Sequence, residues 1–379
     1  MGIKSLMLGI LPFVSGSDVS EYFWKRTRET GTEKFFTKVN SRARSTKQKK
    51  CAFFNMEGTL VDADLASSVF AYQVRMLDFA FVSKDVPTLF GLGPAKGWCT
   101  PTVVQWKDAD RVVKVDFEIL LSEIETMFAT YMAMSASERA SSGKYQIRLK
   151  TLIAVWGNLS LAHMQNEDVI EDCRYLSKTF RYRLLYGMSM EKRKEMMENV
   201  LREKPSQRAD SYIYDGISVE IPTSNPAVYE EQKALLAVLK KAKVISFVIS
   251  DMATPYLDTL ITYYKLDILS EYAQGTFDDK NMLAVDGYTN YGEGKKRTMQ
   301  DIMKTHSCTA FFASGDSIGD YEILQFVLDN GGFVFVQKGL EFDEKLNFGT
   351  GNPESVRIQE VTVQPPSWIN KDASVHKAI

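Results

Sequence analysis

Histidine and cysteine are scarce in this chain, three of one and four of the other among 379 residues. Three histidines leave little room for a zinc site or a histidine-based catalytic triad. The cysteines (Cys51, Cys99, Cys173 and Cys308) show no C-x-x-C spacing and fit buried thiols in a reducing compartment. Long apolar runs are missing too. None approaches the roughly 18–20 residues of a membrane span, which excludes a multi-pass membrane protein. Net charge is close to absent, −2 from 46 basic and 48 acidic residues. With 45% hydrophobic and 25% charged residues, the composition is that of a soluble globular chain. Disordered, collagen-like and disulfide-scaffold classes are excluded, and the length allows two or three structural units.

The near-zero charge conceals an asymmetry. Residues 25–50 hold ten Lys or Arg against two acids, Glu29 and Glu33. Before them runs MGIKSLMLGILPFVSG, whose apolar stretch is broken by Gly9 and Pro12 and is followed by no A-x-A cleavage site. The myristoylation pattern fails because Leu6 stands where Ser or Thr is needed. Residues 1–50 are therefore expected as an apolar and basic arm. It is either solvated and packed by a few aromatics (Phe23, Trp24, Phe35, Phe36) or laid peripherally on an anionic membrane surface. The rest of the chain is acidic, so no nucleic-acid partner is expected. The expected location is cytoplasmic, with peripheral membrane association as the variant.

Past the arm the texture changes. Cys51-Ala-Phe-Phe54, Lys243–Ile249, Thr309–Ala313 and Gly332–Val336 are short continuous apolar runs, the mark of strands buried on both faces. A helical pattern over Ala227–Lys241 precedes the second run. Strands alternating with helices predict an α/β fold with a doubly wound, mostly parallel sheet. Between the first two strands lie about 180 residues with helical periodicity over Val112–Ala140, Lys144–His163 and Met188–Lys204. Their Met-rich faces read as core. The expected division is an arm at 1–50, an α/β core at 51–60 and 241–364, a helical cap at 61–240, and a tail at 365–379.

Polar clusters fall at the strand ends, where parallel sheets gather their chemistry. They are Asn55-Met-Glu-Gly-Thr59, then Ser250, then Lys295 in Tyr291-Gly-Glu-Gly-Lys-Lys-Arg297, then Gly315-Asp-Ser-Ile-Gly-Asp320. In this order and spacing, over roughly residues 50–340, the chain resembles the haloacid dehalogenase (HAD) superfamily of phosphohydrolases. The pattern is nearest to its phosphoserine-phosphatase-like branch, whose helical cap follows the first motif. The stretch Gly275-Thr276, Asp286-Gly-Tyr288 and Gly292-Glu-Gly-Lys295 resembles the hairpin that precedes the lysine there.

The resemblance implies a magnesium-dependent phosphomonoester hydrolase working through an aspartyl-phosphate. Glu57 would be the acid/base, with its main-chain carbonyl on the metal. Asp316 would be a metal ligand, and Asp320 a further ligand or the group that orients Lys295. Ser250 and Lys295 would grip phosphate, and Thr59 would shape the loop or join them.

The departure is Asn55, which stands where the family has its nucleophilic aspartate. A carboxamide is a poor nucleophile and a weaker magnesium ligand, and Asp62 and Asp64 lie past the turn. Two origins fit: a substrate-trapping substitution in an active parent, or a natural pseudo-phosphatase that binds a phospho-ligand or a partner. A cap favours small substrates, such as phosphoserine, another small organic phosphate or a lysophospholipid phosphate. Asp251 and Tyr256 could contact a head group, but read more readily as solvated or helix-capping residues. Tyr131, Trp156 and Tyr186 are equally readable as pocket lining or core. Gly91-Leu-Gly-Pro-Ala-Lys96 lacks the Walker pattern and reads as a turn.

Overall fold

Cys51-Ala-Phe-Phe54 lies between two neighbouring strands of a sheet, and all five residues of its strand are buried. The computed structural model describes residues 16–45, 47–90, 103–108, 111–164, 180–203, 210–221, 225–270, 276–277, 283–284, 290–339, 343–348, 354–363 and 366–370. The described chain opens with α1 (Gly16–Glu29) and α2 (Glu33–Ser45), then enters the sheet at β1 (Lys50–Phe54). An insertion follows: α3 (Leu65–Met76), α4 (Val86–Phe90), the hairpin β2 (Val103–Asp108) and β3 (Arg111–Asp116), α5 (Phe117–Ala133), α6 (Ala136–Ser141), α7 (Gly143–Met164), α8 (Met190–Arg202), and the hairpin β4 (Asp210–Tyr214) and β5 (Ile217–Ile221). Next come α9 (Glu230–Lys241), β6 (Val244–Val248), α10 (Thr254–Tyr264), the short pair β7 (Thr276–Phe277) and β8 (Leu283–Ala284), and α11 (Glu293–His306). β9 (Thr309–Gly315), α12 (Tyr321–Asp329), β10 (Phe333–Lys338), β11 (Val356–Val363) and β12 (Pro366–Trp368) follow.

The main sheet has the order β12-β11-β10-β9-β1-β6. Every neighbouring pair is parallel except β11 and β12. Phe54 lies opposite Val248 on one side and Ser314 on the other. The chain thus leaves β1 for one neighbour and later returns to the other, so the strand order reverses at β1. In an open α/β sheet that reversal opens a crevice beyond the carboxyl ends of the strands.

Alternation along β1 divides the core into two layers. Ala52 and Phe54 pack with Phe23, Phe36, Leu235, Leu239 and Leu257 on one face. Cys51 and Phe53 pack with Met299, Ile302, Ile323, Leu324 and Val327 on the other. The insertion carries a separate cluster that includes Phe70, Val74, Phe128, Leu149, Trp156 and Val219. Trp156 is fully buried there and packs as part of that core.

Several expectations change. From Gly16 onward the basic arm is two helices seated on the sheet, with Phe23, Phe35 and Phe36 buried. Phe36 stacks on Trp368 with ring centroids 5.6 Å apart, and Arg26 donates to Glu231 at 3.0 Å. The helices are amphipathic: apart from Arg26, most of their charges point outward while their aromatics complete the core. Residues 1–15 lie outside the described residues, as do Gly91–Lys96 and the Asp286–Tyr288 stretch. α9, expected with the cap, belongs to the sheet instead, because its Leu235, Val238 and Leu239 face the core. The expected tail contributes Pro366–Trp368 as an edge strand.

Val112–Asp116, expected as helix, is the second strand of a hairpin: Val113 and Val115 lie opposite Trp106 and Val104. β-branched residues favour that pairing. The helix begins at Phe117, where Asp116 caps it by accepting from the amides of Glu118 and Ile119.

The expectation of unpaired thiols is also corrected. Cys51 and Cys308 form a disulfide with their Cα atoms 5.8 Å apart. Cys308 directly precedes β9, which runs beside β1, so adjacent parallel strands bring the two sulfurs together. The pairing removes the argument for a reducing compartment that free thiols would carry. Cys99 and Cys173 lie outside the described residues. Among the described residues, no helix is long and apolar enough to cross a membrane.

Candidate functional site

The strand ends beside the reversal deliver the polar residues. The Asn55 amide N–H donates to Ser314 O at 3.1 Å, and that of Ile249 donates to Phe54 O at 2.9 Å. Pairing therefore continues to the last residues of three adjacent strands and holds Asn55, Ser250 and Asp316 at one rim. α11 brings Lys295 to the same place. Asn55, Ser250, Lys295 and Asp320 are all buried, while Glu57 turns its side chain outward.

The Asn55 carboxamide is bound at both ends. Its Nδ2 donates to the main-chain carbonyl of Glu57 at 2.8 Å and to Asp316 Oδ1 at 3.1 Å. Its Oδ1 accepts from Lys295 Nζ at 3.0 Å. These neighbours fix which end is which. Reversing the amide would face donor to donor at Lys295 and acceptor to acceptors at Glu57 and Asp316.

Asp316 Oδ1 also accepts from the Thr59 hydroxyl at 2.6 Å. Thr59, expected to shape the loop or to join the phosphate grip, is fully buried and spends its hydroxyl on this acid. Burial, with the Asp320 carboxylate alongside, pushes the Asp316 carboxyl up, while the hydrogen bonds from Thr59 and Asn55 pull it down. Gly58 makes the approach possible: its φ is +73°, and a Cβ there would lie 2.1 Å from Asp316 Oδ2. Asp320 pairs with Lys295. Its Oδ1 accepts from Lys295 Nζ at 2.6 Å, and its Oδ2 accepts from the amides of Asp316 and Ser317.

Supporting residues had no sequence signal. Asn290 donates to the Ser250 carbonyl at 3.0 Å and accepts from Thr298 at 2.7 Å, which ties the end of β6 to α11. Gln337 donates to the Gly58 carbonyl at 2.9 Å and accepts from Gln232 and Trp368, so the loop is held from β10. Single polar residues within helices and strands show no pattern until the fold brings them together. The asparagine just before the Tyr291-Gly-Glu-Gly run was the one available hint.

No family model matches the chain, and no curated protein matches it in sequence. Solved structures do. A conserved protein of unknown function from Anaerococcus prevotii superposes with a TM-score of 0.67, at 13% identity, over 89% of this chain and 94% of that one. The fold is shared. A HAD family hydrolase from Salmonella enterica matches at TM-score 0.35 and 13% identity, over 81% of this chain and 72% of its own. A protein of unknown function from Bordetella pertussis matches at 0.34 and 10%, over 77% and 91%. At these identities the chemistry has to come from the site itself.

The donor set was expected to hold magnesium through Asn55, the Glu57 carbonyl, Asp316 and Asp320. As arranged, it does not fit a divalent cation. Asn55 turns an N–H toward the other two oxygens, where a hard cation needs an oxygen. Both carboxylate oxygens of Asp320 are occupied by Lys295 and main-chain amides. One carboxylate remains, and no group of three His, Cys, Asp or Glu able to hold a metal occurs among the described residues.

Arg181 and Tyr182 pack near this rim, against Asp64 and α10. Arg181 lies 3.4 Å from Asp64 and donates to the Ser67 hydroxyl. Tyr182 faces Tyr256 with ring centroids 4.9 Å apart. Burial and the Asp64 carboxylate push both phenols well up, and Asp251 and Glu57 add to the effect at Tyr182. Tyr256, read from the sequence as solvated or helix-capping with a head-group contact as the alternative, is fully buried, and its hydroxyl has no hydrogen-bond partner among the described residues.

Proposed function

We propose that this chain is a phosphatase-like binding module of the haloacid dehalogenase type. It holds a small phosphomonoester at the rim of the sheet without transferring the phosphoryl group. The observation that carries the reading is Asn55, at the end of the interior strand β1, locked by Lys295 on one side and by Glu57 and Asp316 on the other. A neutral carboxamide oxygen that already accepts from a lysine is a poor attacking group. Losing a covalent nucleophile costs on the order of 10⁴–10⁶ in rate.

Binding groups remain. The Ser250 hydroxyl accepts from the Met252 amide at 3.1 Å, which leaves its hydrogen to meet a ligand oxygen. It sits on the loop that enters α10, and a helix N-terminus favours an anion. Lys295 has a third N–H beyond the two it donates to Asn55 and Asp320. In a phosphoserine-phosphatase-like arrangement the insertion would lie over this rim as a cap, with the half-buried Arg181 toward the organic part of the ligand. The affinity is modest, because one lysine supplies the positive charge and Asp320 already pairs with it.

The test is calorimetric titration with a panel of small phosphomonoesters, run beside a phosphate-release assay. The unchanged chain is expected to bind at least one of them saturably and to release no phosphate, and Ser250→Ala to weaken that binding. Asn55→Asp is expected to gain phosphate release when magnesium is supplied. Phosphate release by the unchanged chain, or no binding across the panel, would overturn the reading.

A further inference from the structure

We infer that the Asn55 carboxamide takes the place of the divalent cation, so that this site is built to work without one. The inference rests on the phosphatase-like reading for the identity of the cation position, and on this chain's own hydrogen bonds for the rest. The Glu57 carbonyl and Asp316 Oδ1 are two oxygens that a cation at the end of β1 would draw together. Here they converge on a single nitrogen, at 2.8 and 3.1 Å. The two N–H bonds of one NH2 group satisfy both acceptors, which is the bridging a cation would otherwise perform between β1 and β9.

Three features make the replacement complete. Lys295 holds the amide the right way round from its oxygen side. Asp320 is closed off as a ligand because its oxygens serve Lys295, two main-chain amides and the Ser317 hydroxyl. Thr59 occupies Asp316 Oδ1 from a further direction. A cation entering here would displace an N–H bonded to both of its oxygens and would meet one carboxylate, too few for a hard ion.

The charge count points the same way. Lys295 stands against Asp316 and Asp320, and an aspartate at position 55 would add a third carboxylate around the same lysine. That arrangement needs a cation to be stable, whereas a carboxamide does not. One residue thus decides between a cation-independent site and a cation-dependent one.

The experiment uses the full chain and no phospho-ligand, so its result is separate from the fate of the binding reading. Thermal unfolding is followed in EDTA and in excess magnesium, and Mn2+ binding is followed by electron paramagnetic resonance, for the unchanged chain and for Asn55→Asp. The unchanged chain is expected to unfold at the same temperature in both buffers and to bind no Mn2+. Asn55→Asp is expected to lose about 5 °C in EDTA, to recover it in magnesium, and to bind one Mn2+ per chain. One tightly bound Mn2+ on the unchanged chain, or an equal magnesium-dependent rise in both proteins, overturns the inference. If Asn55→Asp folds poorly without magnesium, the unchanged chain alone still decides.

Discussion

The adjacent strands β1 and β9 are fastened at both ends, and the two fastenings differ in kind. At the amino ends Cys51 and Cys308 join them covalently within an apolar layer. At the carboxyl ends Asn55, Asp316, Lys295 and Asp320 join them through hydrogen bonds and a buried ion pair. The first is a crosslink that holds the strands whatever lies beyond them. The second depends on every partner being present, since a buried charge that loses its counterpart is costly. A fold can thus keep a polar and chemically adaptable rim because the opposite end of the same strands is secured independently.

The largest expected effect is at the carboxyl end. Lys295→Met leaves Asp320 buried and unpaired and is expected to lose about 3–5 kcal/mol in urea unfolding, together with phosphomonoester binding. A loss below 1 kcal/mol would show that the rim is held by something other than this pair. Next is the amino end. Replacing Cys51 and Cys308 together by Ala opens a crosslink across 257 residues and should cost about 2–5 kcal/mol. Ligand binding, measured by calorimetry on the folded variant, should persist. If binding falls as far as in Lys295→Met, the two ends are not independent.

The smallest effect concerns Asp62, which fastens the loop after Gly58 to the segment leading into α9 by accepting from the Ala227 amide at 2.6 Å. Burial pushes its carboxyl up to about 6. The folded protein therefore holds this proton more tightly than the unfolded chain does. The resulting stability is fully present below about pH 4 and is lost as pH rises through about 6. Asp62→Asn keeps an acceptor for Ala227 and removes the charge. It should flatten the pH dependence between those values and gain about 1 kcal/mol at pH 7, allowing for the partly exposed position. An unchanged pH profile would show that Asp62 does not carry this dependence.

The buried strands were legible because a continuous apolar run such as Thr309–Ala313 has few alternatives to a two-sided layer. Asn55, Ser250, Asp316 and Asp320 were legible because they follow those runs, and Lys295 because it opens the helical run behind Gly292-Glu-Gly294. The helices of residues 16–45 were harder to see: their charge outweighs a narrow aromatic stripe whose partners, Phe335 and Trp368, lie some 300 residues on. Val112–Val115 was misread because its periodicity merged with that of the helix behind it. The pairing of Cys51 with Cys308 had no local sign at all.

The sequence by itself determined the layers of the sheet, the strand ends at which polar residues gather, and the presence of an amide where a carboxylate would be expected. Those are local properties, set by apolar periodicity and by the chemistry of single side chains. Only the tertiary structure decided what that amide does. Its meaning depends on which way it faces, and Lys295, Glu57 and Asp316, brought in from three separate parts of the chain, hold it in that direction.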